Sequence, residues 1–302
     1  MNVFVAGASG TIGMPLVRAL VAAGHRVTAL TRSPEKQAAL RSVGATPAVA
    51  DALDADALMR AVGGAQPDVV IHQLTNLPKS GIRSARDLES TNRLRIEGTR
   101  NLIEAAVAAH ARRIVGASFV LGLAARPDDH GRVEEGAAAI NSMESQIVEA
   151  SRQGRIEGIV LRYGMWYGPA TPTTQQMVAM ARRRLLPTVR GDRSLLPVLH
   201  LDDAVSAAVA ALDRGRPGTI YDIVDDEPVS MTDIVRELAA RTGAPRPFVV
   251  PSWIPRLLSP YMARITSVRL PLSNAKAKAE LGWRPAYPTM RDGLAKTVSS
   301  AA

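Results

Sequence analysis

The chain has 302 residues, of which 46% are hydrophobic and 22% are charged, a balance typical of a soluble globular protein and not of a disordered one. It contains no cysteine, which excludes disulfides, thiolate nucleophiles and cysteine-bound metals. The formal net charge is +9, and no stretch approaches the roughly 20 apolar residues that a membrane span needs.

The positive charge comes mainly from arginines that are spread along the chain. The one tight cluster, residues 182–184, lies on a predicted helix and has no interleaved aromatic residues for stacking on bases. We therefore expect neither a nucleic-acid partner nor a membrane partner. The histidines at 25, 72, 110, 130 and 200 lack metal-ligand spacing, so no metal site is expected. Because the amino terminus runs directly into a strand without a basic and apolar leader, we expect a cytoplasmic protein.

Short apolar runs alternate with amphipathic helical stretches through the first half of the chain. This alternation predicts an α/β fold, a doubly wound parallel sheet covered by helices on both faces. The predicted strands lie at 2–6, 26–31, 46–50, 68–73, 112–118 and 156–163. Residues 11–24 predict a helix that ends at Gly24, and residues 90–110 predict a long helix that begins at a capping Ser or Thr.

The regular pattern loosens after Pro169. Here the predicted elements are a helix in 175–186, a strand and helix in 197–212, a strand in 218–225, and a helix opened by Ser230 and closed by Gly243. Residues 249–273 carry apolar side chains that are interrupted by four prolines. We interpret this segment as a cover over a substrate cleft in preference to a membrane-surface segment.

Three glycines, Gly7, Gly10 and Gly13, stand directly after the first strand and before the first helix. In this context the first permits a tight turn, the second lets a pyrophosphate approach the backbone, and the third lets the helix pack against the sheet. The pattern predicts a Rossmann-type dinucleotide site.

The residues that follow the second and third strands indicate which dinucleotide is bound. The second strand ends in Thr31 and Arg32 where an NAD site usually has an acidic residue, and an arginine suits a 2′-phosphate. We therefore predict a preference for NADP, with NAD as the alternative. Asp51 follows the third strand, where its carboxylate could accept from the adenine amino group, whereas Asp54 and Asp56 are expected to cap the next helix.

Six motifs in order resemble the extended short-chain dehydrogenase/reductase family, which includes nucleotide-sugar epimerases and dehydratases. They are AGASGTIG (6–13), DVVIHQLT (68–75), NRLRIEGTRNLIEAA (92–106), VLRYGMWYGP (160–169), VLHLDDAVSA (198–207) and NAKAKAELGWRP (274–285). The resemblance covers nearly the whole chain. It implies a Rossmann domain at 1–168 and 196–226, and a smaller substrate-binding region at 169–195 and 227–302.

The same resemblance implies which residues contact the cofactor. These are Gly7, Ser9, Gly10, Thr11, Ile12, Gly13, Arg32, Asp51, Ala52, Gln73, Leu74, Thr75 and Tyr163. It also implies a homodimer built from the helices near 90–110 and 137–152.

The catalytic centre departs from the family pattern. Family members carry a Ser or Thr after the fifth strand and a Tyr-x-x-x-Lys pair on the next helix, where the Lys helps to lower the pKa of the Tyr. Ser118 fits the first role with an offset of one residue, but residues 80–162 contain no Tyr and no Lys. The remaining catalytic candidates are Tyr163 and Tyr167, together with the titratable side chains of His130, Glu134 and Glu135.

Leu196 stands four residues before His200, where sugar-nucleotide members usually have a phosphate-binding arginine. Arg193 and Arg190 could make a shifted contact, but the segment is more apolar than that role needs. We therefore expect a small-molecule substrate other than a nucleotide sugar. The sequence predicts an NAD(P)-dependent oxidoreductase or epimerase acting on a carbonyl or alcohol with a non-standard acid/base. The alternatives are a non-redox lyase, cyclase or isomerase, and a non-enzymatic NADP sensor.

Overall fold

The computed structural model describes residues 1–78, 85–124, 135–258 and 268–299. Its centre is a seven-stranded sheet in the order β10-β6-β5-β4-β1-β2-β3, in which every neighbouring pair is parallel. The strands of this sheet are β1 Asn2–Ala6, β2 Arg26–Thr31, β3 Thr46–Val49, β4 Val69–His72, β5 Arg113–Phe119, β6 Glu157–Tyr163 and β10 Thr219–Ile223. The predicted α/β fold and its first six strands are confirmed, and the strand predicted in 218–225 forms one edge of the sheet.

Helices cover both faces of the sheet because the parallel strands need crossover connections. The helices are α1 Gly13–Ala22, α2 Gln37–Ser42, α3 Ala55–Ala65, α4 Glu89–Arg93, α5 Thr99–Ala108, α6 Glu135–Arg152, α7 Pro172–Arg182, α8 Leu201–Ala210, α9 Met231–Arg241, α10 Trp253–Leu258, α11 Ala275–Glu280 and α12 Met290–Ser299. Leu94–Gly98 is a π-helical segment that joins α4 to α5.

Successive residues of each strand point to opposite faces, so the sheet contributes to two separate cores. On one face Val3, Val5 and Tyr163 pack with α1 and α8. On the other face Phe4 and Val160 pack with α3, α5 and α6. The central strands β1 and β4 are buried on both sides, which explains why they are nearly continuous apolar runs in the sequence.

The observed starts of three helices test the capping residues that the sequence predicts. Asp54 caps α3 by accepting a hydrogen bond from the Ala57 N–H, and Ser230 caps α9 in the same way. The prediction that the long helix of 90–110 begins at a capping Ser or Thr is wrong. That helix begins at Glu89 after Leu88, and Ser90 and Thr91 lie inside it because their hydroxyls bind residue 76 instead.

The smaller elements surround the carboxyl edge of the sheet. β7 Met165–Tyr167 pairs with β9 Val198–His200, and β8 Thr188–Val189 pairs with β11 Val249–Val250. A third core joins β7 and β9 to α9 and α12. No helix in the described part of the chain is both long and apolar enough to cross a membrane. The division into a Rossmann domain and a substrate-binding region remains a prediction.

Candidate dinucleotide and active site

The turn between β1 and α1 is formed by backbone that only glycine can supply. Gly7 has a φ of +88°, and a Cβ added there would lie 2.4 Å from the carbonyl oxygen of Gln73. A Cβ on Gly13 would lie 2.1 Å from the Gly7 carbonyl oxygen, so α1 can approach the strand only without a side chain. Gly10 is exposed, and its bare backbone lies beside the amino-terminal end of α1. This cradle fits a dinucleotide pyrophosphate.

The other residues predicted to contact the cofactor lie around this turn. Four of them reach the surface, namely Ser9, Thr11, Arg32 and Asp51. Ile12 is buried under the turn, and Ala52 is buried beside α5. The Thr31 hydroxyl lies 3.3 Å from the Ser9 hydroxyl and accepts the Ser33 N–H, which ties the end of β2 to the glycine turn. The backbone of residues 73–75 follows β4, on the opposite side of β1 from β2. Their contacts with a cofactor remain predictions.

Two polar side chains are buried together at the ends of β4 and β6. Among the described residues, neither the Gln73 amide nor the Tyr163 hydroxyl has a hydrogen-bond partner of good geometry. Burial raises the pKa of Tyr163, and the neighbouring Gln73 side chain offsets only part of that effect. Tyr163 therefore stays protonated at neutral pH and is wholly enclosed.

Ser118, at the carboxyl end of β5, donates its hydroxyl proton to Glu144 of α6. Glu144 also accepts hydrogen bonds from the Arg162 Nε and Nη2, at 2.9 and 2.6 Å, and the Arg162 Nη1 donates to Asp222 at 3.2 Å. The Ser118 hydroxyl proton is therefore already donated to the Glu144 carboxylate. Toward any further group Ser118 can only accept a hydrogen bond.

Tyr167 is separated from this cluster and packs in the third core. Its hydroxyl donates to the Asp225 Oδ2 at 2.8 Å and to the Thr289 carbonyl at 3.2 Å. Burial raises the pKa of Tyr167, and the Asp225 charge raises it further. Burial also raises the pKa of Asp225 to about 8, although the Tyr167 hydrogen bond opposes the change.

The structure does not gather the three catalytic candidates into one group. Ser118 faces α6, Tyr163 faces the opposite core, and Tyr167 bonds elsewhere. Glu135 is exposed at the start of α6, and His130 and Glu134 lie outside the described residues. Among the residues that the structure does describe, no group of three His, Asp or Glu side chains could hold a metal ion.

Sequence analysis missed Glu144 and Asp225. A signal for Glu144 exists, because it falls between the apolar residues Ile140, Met143 and Ile147 at helical spacing and therefore lies on the buried face of α6. A buried acid requires a partner, which in this case is Arg162. Asp225 follows β10 without any such pattern.

The glycine cradle, the parallel sheet and the helices on both faces define a Rossmann-type dinucleotide-binding protein. The model of the NAD dependent epimerase/dehydratase family matches residues 3–224, and the chain belongs to this family. A nicotinamide cofactor and an NAD(P)-dependent oxidoreductase or epimerase activity follow from that membership.

Curated relatives and solved structures are similar to the chain over most of its length. It is 38% identical to the 3-diazoavenalumate denitrifying reductase of a Streptomyces species, over 98% of this chain and 100% of the relative. It is 29% identical to the 2-alkyl-3-oxoalkanoate reductase of Stenotrophomonas maltophilia, over 82% and 77% respectively. The Thermus thermophilus UDP-glucose 4-epimerase in complex with NAD has the same fold, with a TM-score of 0.77 and 23% identity over 99% of this chain and 98% of that one.

Substitutions in the glycine turn should separate folding from cofactor binding. We expect Gly10→Ala to fold, because its Cβ would meet the Gly7 carbonyl oxygen at 3.3 Å, a tight contact that a shift of a few tenths of an ångström relieves, yet to bind the dinucleotide at least about tenfold more weakly. Gly13→Ala should instead lower the free energy of unfolding by about 1–3 kcal/mol, because the helix must move off the strand. Thermal unfolding and calorimetric titration of both variants measure the two effects. Wild-type affinity in Gly10→Ala would contradict the assignment of the cradle.

Asp225 should make the stability of the protein depend on pH. Because its pKa is raised to about 8, the folded state holds a proton that the unfolded state releases near pH 4. Stability attributable to this residue is therefore highest at low pH and falls as the pH rises toward 8, by at most about 1.4 kcal/mol per pH unit. Asn keeps the acceptor for Tyr167 but cannot ionise, so Asp225→Asn should lack this loss.

The free energies of unfolding of wild type and of Asp225→Asn are measured by urea denaturation at pH 5, 6, 7 and 8. The stability of Asp225→Asn relative to wild type should rise with pH. Asp192→Asn is the matched control. Hydrogen bonds from the backbone N–H groups of Ser194 and Thr232 hold the pKa of Asp192 below its usual value despite partial burial, so its effect should be constant over this range. Parallel curves for Asp225→Asn and wild type would show that Asp225 ionises freely.

Proposed function

We propose that the protein is an NADP-preferring reductase whose substrate accepts a hydride without taking a proton from a Tyr-Lys pair. The observation that carries this proposal is the commitment of the Ser118 proton to Glu144. Neither candidate tyrosine is suited to donate a proton to a substrate, because Tyr163 is enclosed and Tyr167 is bound to Asp225.

The preference for NADP rests on the residue after β2. Arg32 is exposed beside the glycine turn, and within the described part of the chain no carboxylate is paired with it. A guanidinium that is not paired with a carboxylate can bind a phosphate through two parallel hydrogen bonds, whereas it gains little from a ribose hydroxyl.

The proposed substrate is a small molecule other than a nucleotide sugar. Leu196 is wholly buried and packs with Val198 and Leu238, in the place where a phosphate-binding arginine would be expected. A buried leucine supplies neither the charge nor the hydrogen bonds that an anionic diphosphate would need in this place.

The proposed chemistry of the substrate follows from the lack of a suitable proton donor among Ser118, Tyr163 and Tyr167. When bound, reduced nicotinamide supplies a hydride. A carbonyl that accepts a hydride becomes an alkoxide and needs a proton, so it depends on a general acid. A diazonium cation does not: its carbon gains the C–H bond, the C–N bond breaks, and N₂ leaves with the bonding pair. The name of the Streptomyces relative describes reduction of a diazo compound with loss of nitrogen, and we propose this substrate class for the chain.

Arg32→Ala tests the cofactor preference. We expect the variant to bind NADP about tenfold more weakly or worse, because a charge-assisted hydrogen bond to the 2′-phosphate is lost. Its affinity for NAD should remain close to that of wild type. Isothermal titration with both dinucleotides measures the change. An equal loss for NAD and NADP would contradict phosphate recognition.

A substrate panel tests the reaction. With NADPH deuterated at C4, we expect an arenediazonium carboxylate to give the deuterated arene, with one N₂ released for each NADPH oxidised. A reaction without protein and one with Gly10→Ala are the controls for direct reduction. Ser118→Ala should change this rate by less than about threefold, whereas loss of a general acid costs about a hundredfold or more.

Three other outcomes would overturn the proposal. Reduction of 3-oxoalkanoates alone would indicate a carbonyl reductase with a proton donor elsewhere. Product formation without any change in nicotinamide would indicate a lyase or isomerase. Absence of turnover, with different affinities for NADP and NADPH, would indicate a sensor.

A further inference from the structure

A hydrogen bond crosses the proposed cofactor groove above the glycine turn. Arg32 follows β2 and Asn76 lies four residues after β4, and these two strands flank β1 on either side. The Arg32 Nη2 donates to the Asn76 Oδ1 at 2.6 Å. The bond therefore joins segments that leave the sheet two strands apart, about 10 Å at the usual strand spacing.

Asn76 is held firmly on its own side of the groove. Its backbone N–H donates to the Thr91 hydroxyl at 2.9 Å, and its side-chain NH₂ donates to the Ser90 hydroxyl. Thr91 is fully buried in α4. Because the NH₂ group is taken by Ser90, the amide oxygen is the atom left to face Arg32.

The partner of Arg32 is neutral, and this determines what Arg32 can do. An amide oxygen fixes one N–H of the guanidinium but leaves its positive charge and its other four donors uncompensated. Arg162, in contrast, is paired with the carboxylates of Glu144 and Asp222. Arg32 is thus oriented without being neutralised, which is the arrangement that an anion-binding arginine needs.

We propose that Asn76 is a positioning residue for Arg32 and that it sets the discrimination between a 2′-phosphate and a 2′-hydroxyl on the bound dinucleotide. This inference rests on the NADP preference proposed above. Asn76 holds the guanidinium over the groove, so less side-chain freedom is lost when the phosphate binds.

Two substitutions of Asn76 separate orientation from charge. Asn76→Ala releases Arg32, and we expect NADP affinity to fall about fivefold with NAD affinity unchanged. Asn76→Asp keeps an acceptor for Arg32 but supplies a negative charge that neutralises it and repels the phosphate. This variant should lose more NADP affinity than Asn76→Ala, again with NAD affinity little changed.

Calorimetric titration of both dinucleotides into wild type, Arg32→Ala, both Asn76 variants and Gln153→Ala tests the inference. Gln153 is an exposed amide directly after α6 that donates to Glu149, so its variant should behave as wild type. Thermal unfolding of each variant without ligand reports any loss of folding, and the double variant Arg32→Ala with Asn76→Ala should bind NADP no more weakly than Arg32→Ala alone.

The outcomes distinguish this inference from the proposed function. If Arg32→Ala loses NADP affinity while both Asn76 variants keep it, Arg32 acts without Asn76 and the inference is wrong. If Asn76→Ala weakens NAD and NADP equally, Asn76 is only a clamp on the segment after β4, which also overturns it. If Arg32→Ala binds NADP as wild type does, the NADP preference itself fails.

Discussion

The approach of Gly13 to the Gly7 carbonyl is the contact on which the site depends. It lets α1 begin directly against the central strand, so the end of that helix lies at the carboxyl edge of the sheet between β4 and β2. Every other proposed cofactor contact lies on a segment that leaves the same edge, because parallel strands end together. A side chain at Gly13 would separate α1 from the strand, and a side chain at Gly7 would clash with the Gln73 carbonyl, so either one would disrupt the cradle. The neighbouring segments would then have no dinucleotide to surround.

Most of the fold could be predicted because the parallel sheet is buried on both faces. Strands such as β1 and β4 must then be continuous apolar runs, and the helices between them must carry one apolar stripe, so both patterns can be found in the sequence. Helix starts were less predictable. Asp54 and Ser230 cap helices as expected, but Ser90 and Thr91 do not, because Asn76 binds their hydroxyls from a distant segment. Local preference is overridden there by a tertiary contact.

The role of a site residue could be predicted from the sequence only where the residue acts through its own backbone or its near neighbours in the chain. The three glycines act through their own backbone, so their spacing indicates the cradle. Ser118 was found as a candidate, but its proton is engaged by Glu144, 26 residues away, and no local pattern gives that partner. The same holds for Tyr167 and Asp225, which are separated by 58 residues. Contacts between residues far apart in the sequence set the protonation and the orientation of these side chains. A sequence motif shows mainly which residue types are present.

Arg162 and Arg32 lie at the same edge of the sheet, and the hydrogen-bond partner of each determines what its positive charge can do. Arg162 lies between Glu144 and Asp222 and is 14% exposed, so its charge is used to hold α6, β6 and β10 together. Arg32 is exposed and is bonded to an amide, so its charge remains available to a ligand. An exposed guanidinium paired with a carboxylate would gain little by exchanging that partner for a phosphate. A neutral partner removes this competition while still restricting the side chain, which makes the residue opposite an arginine as informative as the arginine itself.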